Sequence, residues 1–350
     1  MVMQRAGHSR NAADDSRSVA LSVVAPCYNE ADGLQELYAR VTAASRSVVG
    51  DNYEIVLIND GSSDATWSSI RTLAECDPHV VGVDLSRNHG HQLALSAGLT
   101  VCRGERILII DADLQDPPEL LPKMMALMDD GADVVYGQRI ERAGESWFKK
   151  STASMFYRVL RALADVNIPR DTGDFRLMSR RALDILNSMP EQHRFIRGMV
   201  SWIGLDQRPL LYSRHARFAG ATKYPVKKMI RFAIDAITGF SIRPLRMAVY
   251  FGMLFGLGGI ATLFYILYGW ATGQTVQGWT SLMTVILLLG SVQLFVIGVF
   301  GEYLGRLYLE SKRRPLFVIR EVARMHARTA GMRLPAGLAA AEPQRLGHRL

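Results

Sequence analysis

Ile107-Leu108-Ile109-Ile110-Asp111-Ala112-Asp113-Leu114-Gln115-Asp116 is the stretch that decides the fold. A continuous apolar run cut off by carboxylates reads as a strand buried on both faces that surfaces at its carboxyl end. Comparable runs lie at 19–25, 53–58, 80–85 and 133–136, and amphipathic stretches at 33–48 and 65–75 separate them. This alternation predicts an α/β domain over residues 19–223, with a mostly parallel, Rossmann-like sheet covered on both faces. Ligands of such sheets gather at the carboxyl ends of the strands. Three of those ends carry polar clusters: Pro26-Cys27-Tyr28-Asn29-Glu30, Asn59-Asp60-Gly61-Ser62-Ser63-Asp64, and the turn from Asp111 to Asp116. All three are expected on one rim.

Two readings stand for each acidic cluster. Asp111 and Asp113 suit one hard divalent cation bound through oxygen, with a nucleotide diphosphate supplying further oxygens. Equally, Asp-X-Asp serves as a helix cap or turn. Asp60 either closes an Asx turn or hydrogen-bonds a base or ribose.

Composition narrows the class. The chain has 350 residues, 49% of them hydrophobic, which excludes disorder as its main state. Lys and Arg exceed Asp and Glu by 41 to 33, so the net charge of +8 favours an anionic partner. Nucleic acid is disfavoured, because there is no zinc-ligand spacing or stacking motif and the basic residues crowd beside apolar segments. Cys27, Cys76 and Cys102 stand far apart, which argues against a disulfide framework and a thiolate metal site.

From Met247 to Gly301 no Asp, Glu, Lys or Arg occurs. A crossing helix needs ~20 apolar residues, and this segment supplies two, at about 247–270 and 280–303. A polar, glycine-punctuated loop joins them, flanked by Trp270 and Trp279. Arg243 and Arg246 precede the first helix, and Arg306, Lys312, Arg313 and Arg314 follow the second. The positive-inside rule then makes the 19–223 domain, both termini and the basic tail 305–350 cytoplasmic, at the inner (plasma) membrane. The competing reading is a hairpin buried in a large soluble core, which would keep a polar stripe. Residues 1–18 read as a disordered arm. Residues 145–166 and 224–246 read as basic amphipathic segments, expected to lie at the inner leaflet.

Taken together, the Ala25-to-Glu30, Asn59-to-Thr66 and Asp111-to-Asp116 motifs resemble family 2 glycosyltransferases of GT-A fold. The likeness continues through Arg87-Asn88-His89-Gly90-His91, Thr172-Gly173-Asp174-Phe175-Arg176-Leu177 and Arg217-Phe218-Ala219-Gly220-Ala221-Thr222-Lys223-Tyr224. With the two late helices, the chain is similar to the polyprenyl-phosphate group of that family, which includes bactoprenol glucosyltransferase and dolichol-phosphate mannose synthase. That resemblance implies an inverting transfer of one hexose from a nucleotide sugar to a lipid phosphate. It implies a donor bound through Pro26, Tyr28, Glu30, Asp60 and Asp111, and Mg2+ or Mn2+ held by Asp111, Asp113 and Gln115. Asp113 is thereby catalytic through the metal, and Asp174 is expected near the attacking phosphate as an orienting group or base, its alternative being a loop carboxylate paired to Arg176. Arg139, Arg217 and Lys223 are the expected cationic clamps for the acceptor phosphate. UDP-glucose and undecaprenyl phosphate are the favoured pair, with GDP-mannose or a UDP-aminoarabinose derivative open. Paired spans permit a homo-oligomer. A processive polysaccharide synthase is disfavoured by the missing QxxRW motif, and a non-catalytic membrane subunit by the intact metal acids.

Overall fold

The computed structural model describes residues 19–140, 172–213, 241–272 and 278–325. The expected amphipathic segments at 145–166 and 224–240, the arm 1–18 and most of the tail lie outside them, as do Arg217 and Lys223.

The apolar runs form strands β1 (Leu21–Cys27), β2 (Tyr53–Asn59), β3 (Val80–Leu85) and β4 (Arg106–Ile109). Helices α1 (Leu34–Val49), α2 (Thr66–Cys76) and α3 (His91–Val101) follow the first three strands, and α4 (Leu121–Asp129) follows β4. Then come β5 (Val134–Arg139), β6 (Thr172–Ser179), α5 (Arg180–Ser188), α6 (Ile196–Ile203) and β7 (Gln207–Tyr212). Two long helices, α7 (Arg243–Ala271) and α8 (Trp279–Ser311), precede a last strand, β8 (Ile319–Ala323).

The strands make one eight-stranded sheet in the order β7-β5-β6-β4-β1-β2-β3-β8. Pairs β1–β2, β1–β4, β2–β3 and β5–β7 are parallel, whereas β6 runs antiparallel to β4 and β5, and β8 antiparallel to β3. The α/β expectation is therefore met. The strand order reverses at β1, which places the crevice between the ends of β1, β2 and β4.

Both faces are covered, as near-continuous apolar strands require. Leu21, Val23, Ile55 and Leu57 point to α1, α2 and α4, meeting Leu37, Ile70 and Met124. Val24, Val56 and Ile58 point the other way, to Leu95, Leu183 and Ile196 of α3, α5 and α6. Each such buried aliphatic contributes roughly 1.5–3 kcal/mol, so the rim rests on a rigid base.

Helices α7 and α8, of 29 and 33 residues, present their apolar side chains outward. Phe264 is 67% and Leu294 71% exposed, which rules out the buried-hairpin reading. Apolar surface on this scale marks membrane association. The Tyr303 hydroxyl donates to the Ser241 carbonyl (2.6 Å), tying α8 back to the start of α7.

Strand β8 was not legible in the sequence, because its five residues, Ile-Arg-Glu-Val-Ala, are too few to show an apolar period, and all but Ala323 are partly or fully exposed. It covers the β3 edge, which otherwise offers unpaired backbone groups.

Candidate active site

The loops after β1 and β2 are sewn together. Asn29, with a left-handed φ of 55°, receives a contact from the Ser63 amide at its Oδ1 (2.9 Å) and donates its own amide to Ser62 Oγ (3.0 Å). The Glu30 amide donates to Thr66 Oγ1 (3.0 Å), and Asp64 accepts from Ala31 and Thr66. Gly61 has φ +64°, and a Cβ there would meet the Asn88 amide at 2.4 Å, so only glycine fits. These bonds leave Tyr28 on the rim, 49% exposed.

Asp60 is tied into the loop that follows β3. It is buried, with Oδ1 accepting from the His89 amide (2.7 Å) and Oδ2 from the Gly90 amide (3.0 Å). Burial raises its pKa against the pull of those two amides. Its first work is to hold the loop that launches α3, a role the sequence did not disclose.

Asp111 lies two residues beyond the end of β4. Its Oδ1 is buried and accepts no hydrogen bond from the described residues, although His91 Nε2 lies 3.4 Å away. Burial pushes its carboxyl up to about 6, against the pull of His91. Leu114 next door takes a left-handed φ of 59°, costly for a branched side chain, and this turn lets Asp113 Oδ1 accept from the Gln115 amide (3.1 Å).

Asp174, on β6, is 2% exposed. Its Oδ1 accepts from Arg197 Nε (2.8 Å); its Oδ2 accepts from Gln92 Nε2 (2.9 Å) and lies 3.1 Å from His91 Nε2. Arg176 stands 3.9 Å away. Burial alone would raise this acid, but the guanidiniums and the His91 ring hold it well below the usual carboxylate range. Arg197, Gln92 and the His91 ring together fix the position of this acid.

His91, Asp111 and Asp174 bring one ligand atom each to within 4.8 Å of one another. The chemistry fits a divalent ion: an imidazole, two carboxylates, and a buried carboxylate oxygen with no hydrogen bond from the described residues. Asp113 and Gln115, the expected companions of Asp111, belong to the adjoining turn. Cys27, by contrast, is inert: its thiol is buried, pushed up to about 12, and donates to the Ala25 carbonyl.

Arg139, at the carboxyl end of β5, reaches the same rim. Its Nε donates to the Tyr212 hydroxyl (3.3 Å) and its Nη2 lies 3.7 Å from Asp116 Oδ1. The Tyr212 hydroxyl in turn donates to Asp116 Oδ1, and burial beside that acid pushes the phenol up to about 12. A Cβ on Gly173 would meet Arg139 Nη2 at 2.6 Å, so the guanidinium slides over bare backbone.

The family described as Glycosyl transferase family 2 matches residues 22–186, and that described as GtrB C-terminal hairpin matches residues 243–307. The uncharacterized glycosyltransferase YkcC of Bacillus subtilis (strain 168) is 44% identical over 307 residues, spanning 87% of this chain and 95% of that protein. The chain belongs to glycosyl transferase family 2. It is also 38% identical to the bactoprenol glucosyl transferase of Shigella phage SfV, over 86% of this chain and 98% of that one. Among solved structures, glucosyl-3-phosphoglycerate synthase from Mycobacterium tuberculosis, in complex with Mn2+, UDP and phosphoglyceric acid, has a TM-score of 0.42 at 19% identity. It covers 63% of this chain and 76% of that one, a likeness too loose to place a residue.

This glycosyltransferase thus gathers its acids as a GT-A-like sheet should. The structure brings Asp111 and Asp174 together and sets Arg139 on the same rim. Sequence reasoning missed Gln92, Arg197 and Tyr212, and gave His91 no role although it stood in a quoted motif. The imidazole at the start of α3, facing an Asp-X-Asp, was the available signal.

Proposed function

We propose that this glycosyltransferase moves one hexose, glucose from UDP-glucose, to undecaprenyl phosphate at the cytoplasmic face of the membrane, with inversion. The observation that carries the reading is the His91, Asp111 and Asp174 group at the rim where strand order reverses, in a chain whose α7 and α8 expose apolar surface. The relatives named bactoprenol glucosyl transferase support the acceptor and the sugar.

Asp111, His91 and Asp174, with Asp113 and Gln115 from the adjoining turn, would hold Mg2+ or Mn2+. When bound, that ion offsets the charge of the pyrophosphate and of the departing nucleoside diphosphate. Pro26, Tyr28, Glu30 and Asp60 frame the nucleotide, Tyr28 through its exposed ring and Asp60 through the loop it anchors. A phosphate oxygen of the lipid attacks C1 of the sugar as the bond from C1 to the diphosphate oxygen breaks. A phosphomonoester has a second pKa of about 6, so the nucleophile is already anionic and needs no base. Asp174 orients, and Arg139, with Arg217 and Lys223, clamps the incoming phosphate.

Helices α7 and α8 cross the bilayer twice, and the basic residues at Arg243, Arg246 and 312–314 hold both chain ends and the sheet on the cytoplasmic side. The test is full-length chain in vesicles containing undecaprenyl phosphate, supplied with each radiolabelled sugar nucleotide and Mn2+. Thin-layer chromatography should reveal one labelled lipid, from UDP-glucose. Label from GDP-mannose or a UDP-aminoarabinose derivative would overturn the donor, and nucleotide binding without any glycolipid would overturn the reaction.

A further inference from the structure

Helix α8 is longer than a crossing requires. At 1.5 Å per residue its 33 residues reach about 50 Å, against about 30 Å of hydrocarbon. Its charges begin at Glu302, so the last turns stand clear of the bilayer, and the chain beyond them returns to the sheet.

Two contacts of that returning segment end in the loops of the site. Glu310 Oε1 accepts the Gln192 amide (2.7 Å), and Gln192 Nε2 donates to the Arg314 carbonyl (3.0 Å). Residue 192 lies in the connection that launches α6. In the first turn of α6 the Ile196 amide donates to Gln92 Oε1 (2.9 Å), and Arg197 grips Asp174. Gln92 therefore holds the α6 connection with its oxygen and Asp174 with its nitrogen.

The second contact serves the donor side. Phe317 is buried against the α3 face of the sheet, and the Ser86 amide donates to the Val318 carbonyl (2.9 Å). Arg320 donates from Nη1 to Asp84 Oδ2 (3.0 Å) and from Nη2 to the Ser86 carbonyl (2.6 Å). Asp84 Oδ1 accepts from Asn59 Nδ2 (2.7 Å), Asn59 Oδ1 accepts the Ser62 amide (3.1 Å), and Ser62 Oγ accepts the Asn29 amide (3.0 Å). A buried carboxylate shared by Arg320 and Asn59 is thus the hinge between the last strand and the loops around the nucleotide.

We infer that residues 310–323 form a strap by which the membrane helix positions the site, with Glu310 setting the Arg197 and Asp174 side and Arg320 setting the nucleotide loops. Both are positioning residues and touch no substrate. The assignment of the two sides to acceptor and donor rests on the proposed function. The strap fixes how far the acid cluster stands from the bilayer, so a lipid headgroup meets a preformed site.

The test uses full-length chain in vesicles, with Glu310→Ala, Glu310→Gln, Arg320→Ala and Arg320→Lys. Loss of one such hydrogen bond to a site loop should raise the matching KM about five- to ten-fold. Glu310→Ala raises KM for polyprenyl phosphate more than KM for UDP-glucose, because Asp174 also faces the proposed ion; Glu310→Gln, which keeps the accepting oxygen, restores both. Arg320→Ala raises KM for UDP-glucose instead, and Arg320→Lys restores part. Hydrogen exchange gives a readout free of activity: amides 192–197 exchange faster in Glu310→Ala, and amides 60–64 in Arg320→Ala. Unchanged KM values in an active chain, or exchange that rises evenly across the sheet, would overturn the strap. Should the wild type make no glycolipid, the proposed function fails while the exchange arm still decides the strap.

Discussion

Arg197 Nε donates to Asp174 Oδ1 at 2.8 Å, so one oxygen of the acid that sequence reasoning placed beside the attacking phosphate is held by a cation of its own chain. Asp174 is 23 positions away in sequence and buried, with Arg176 behind it. Removing the acid is costly because Arg176, 4% exposed, stays buried and charged.

Asp174→Asn is therefore expected to cost about 3 kcal/mol of stability and to lower turnover roughly 100-fold. Denaturant melts and initial rates check both. A variant that melts like wild type would mean that Arg176 and Arg197 do not depend on this charge.

Far from the rim, Asp77 provides a pH test of the fold. Burial raises its carboxyl, but the Tyr38 hydroxyl (2.6 Å) and the His79 amide (2.9 Å) and ring (2.8 Å) outweigh that and hold it below the usual range. A depressed folded pKa gives stability that is complete above the unfolded value of about 3.9 and is lost as pH falls through the folded one. Thermal melts taken from pH 7 downward should show wild type losing that increment only in the acid limb. Asp77→Asn starts lower, by about 1 kcal/mol, and has a shallower acid limb; parallel curves would refute the linkage.

Gly173→Ala tests the Arg139 clamp. The new methyl meets the tip of a flexible side chain, so stability should change by less than about 1 kcal/mol. Displacing Arg139 from Tyr212 and Asp116 should raise KM for the lipid phosphate about ten-fold. Steady-state kinetics with donor and acceptor varied separately would expose the error if donor KM alone moved.

Truncation after Arg314 removes Phe317 and β8 together. The β3 edge from Gly82 to Leu85 is then left unpaired, and the expected result is an aggregating or protease-sensitive domain. Limited proteolysis and exchange at residues 80–85 check this. A truncated chain as resistant as the full one would show that β8 does not stabilise the sheet.

The strands that run buried through the sheet centre were legible because burial on both faces leaves a continuous apolar signature; 80–85 agrees at both ends and 53–58 is one residue short. Strands β6, β7 and β8 were not read as strands. The first was met as a polar motif, the second carries Pro209, and the third is a short edge strand whose partner lies more than 230 residues away. In the site, residues clustered at strand ends were visible, since Asp111 must follow β4 wherever the chain goes next. The partners that fix their chemistry were not: Gln92 and Arg197 meet Asp174 across helices that no local periodicity links, and the two amides that hold Asp60 lie 29 and 30 residues further on. Those contacts are products of the topology.

In the proposed reaction the acid cluster serves a divalent ion during sugar transfer to a lipid phosphate. The most direct measurement is labelled glucose incorporated into undecaprenyl phosphate by full-length chain, with Mn2+ or with excess EDTA, for wild type and Asp111→Asn. Incorporation by wild type with Mn2+, and loss by about 100-fold or more with EDTA or in Asp111→Asn, is the predicted result. Equal incorporation with EDTA, or an Asp111→Asn variant as active as wild type, would contradict it.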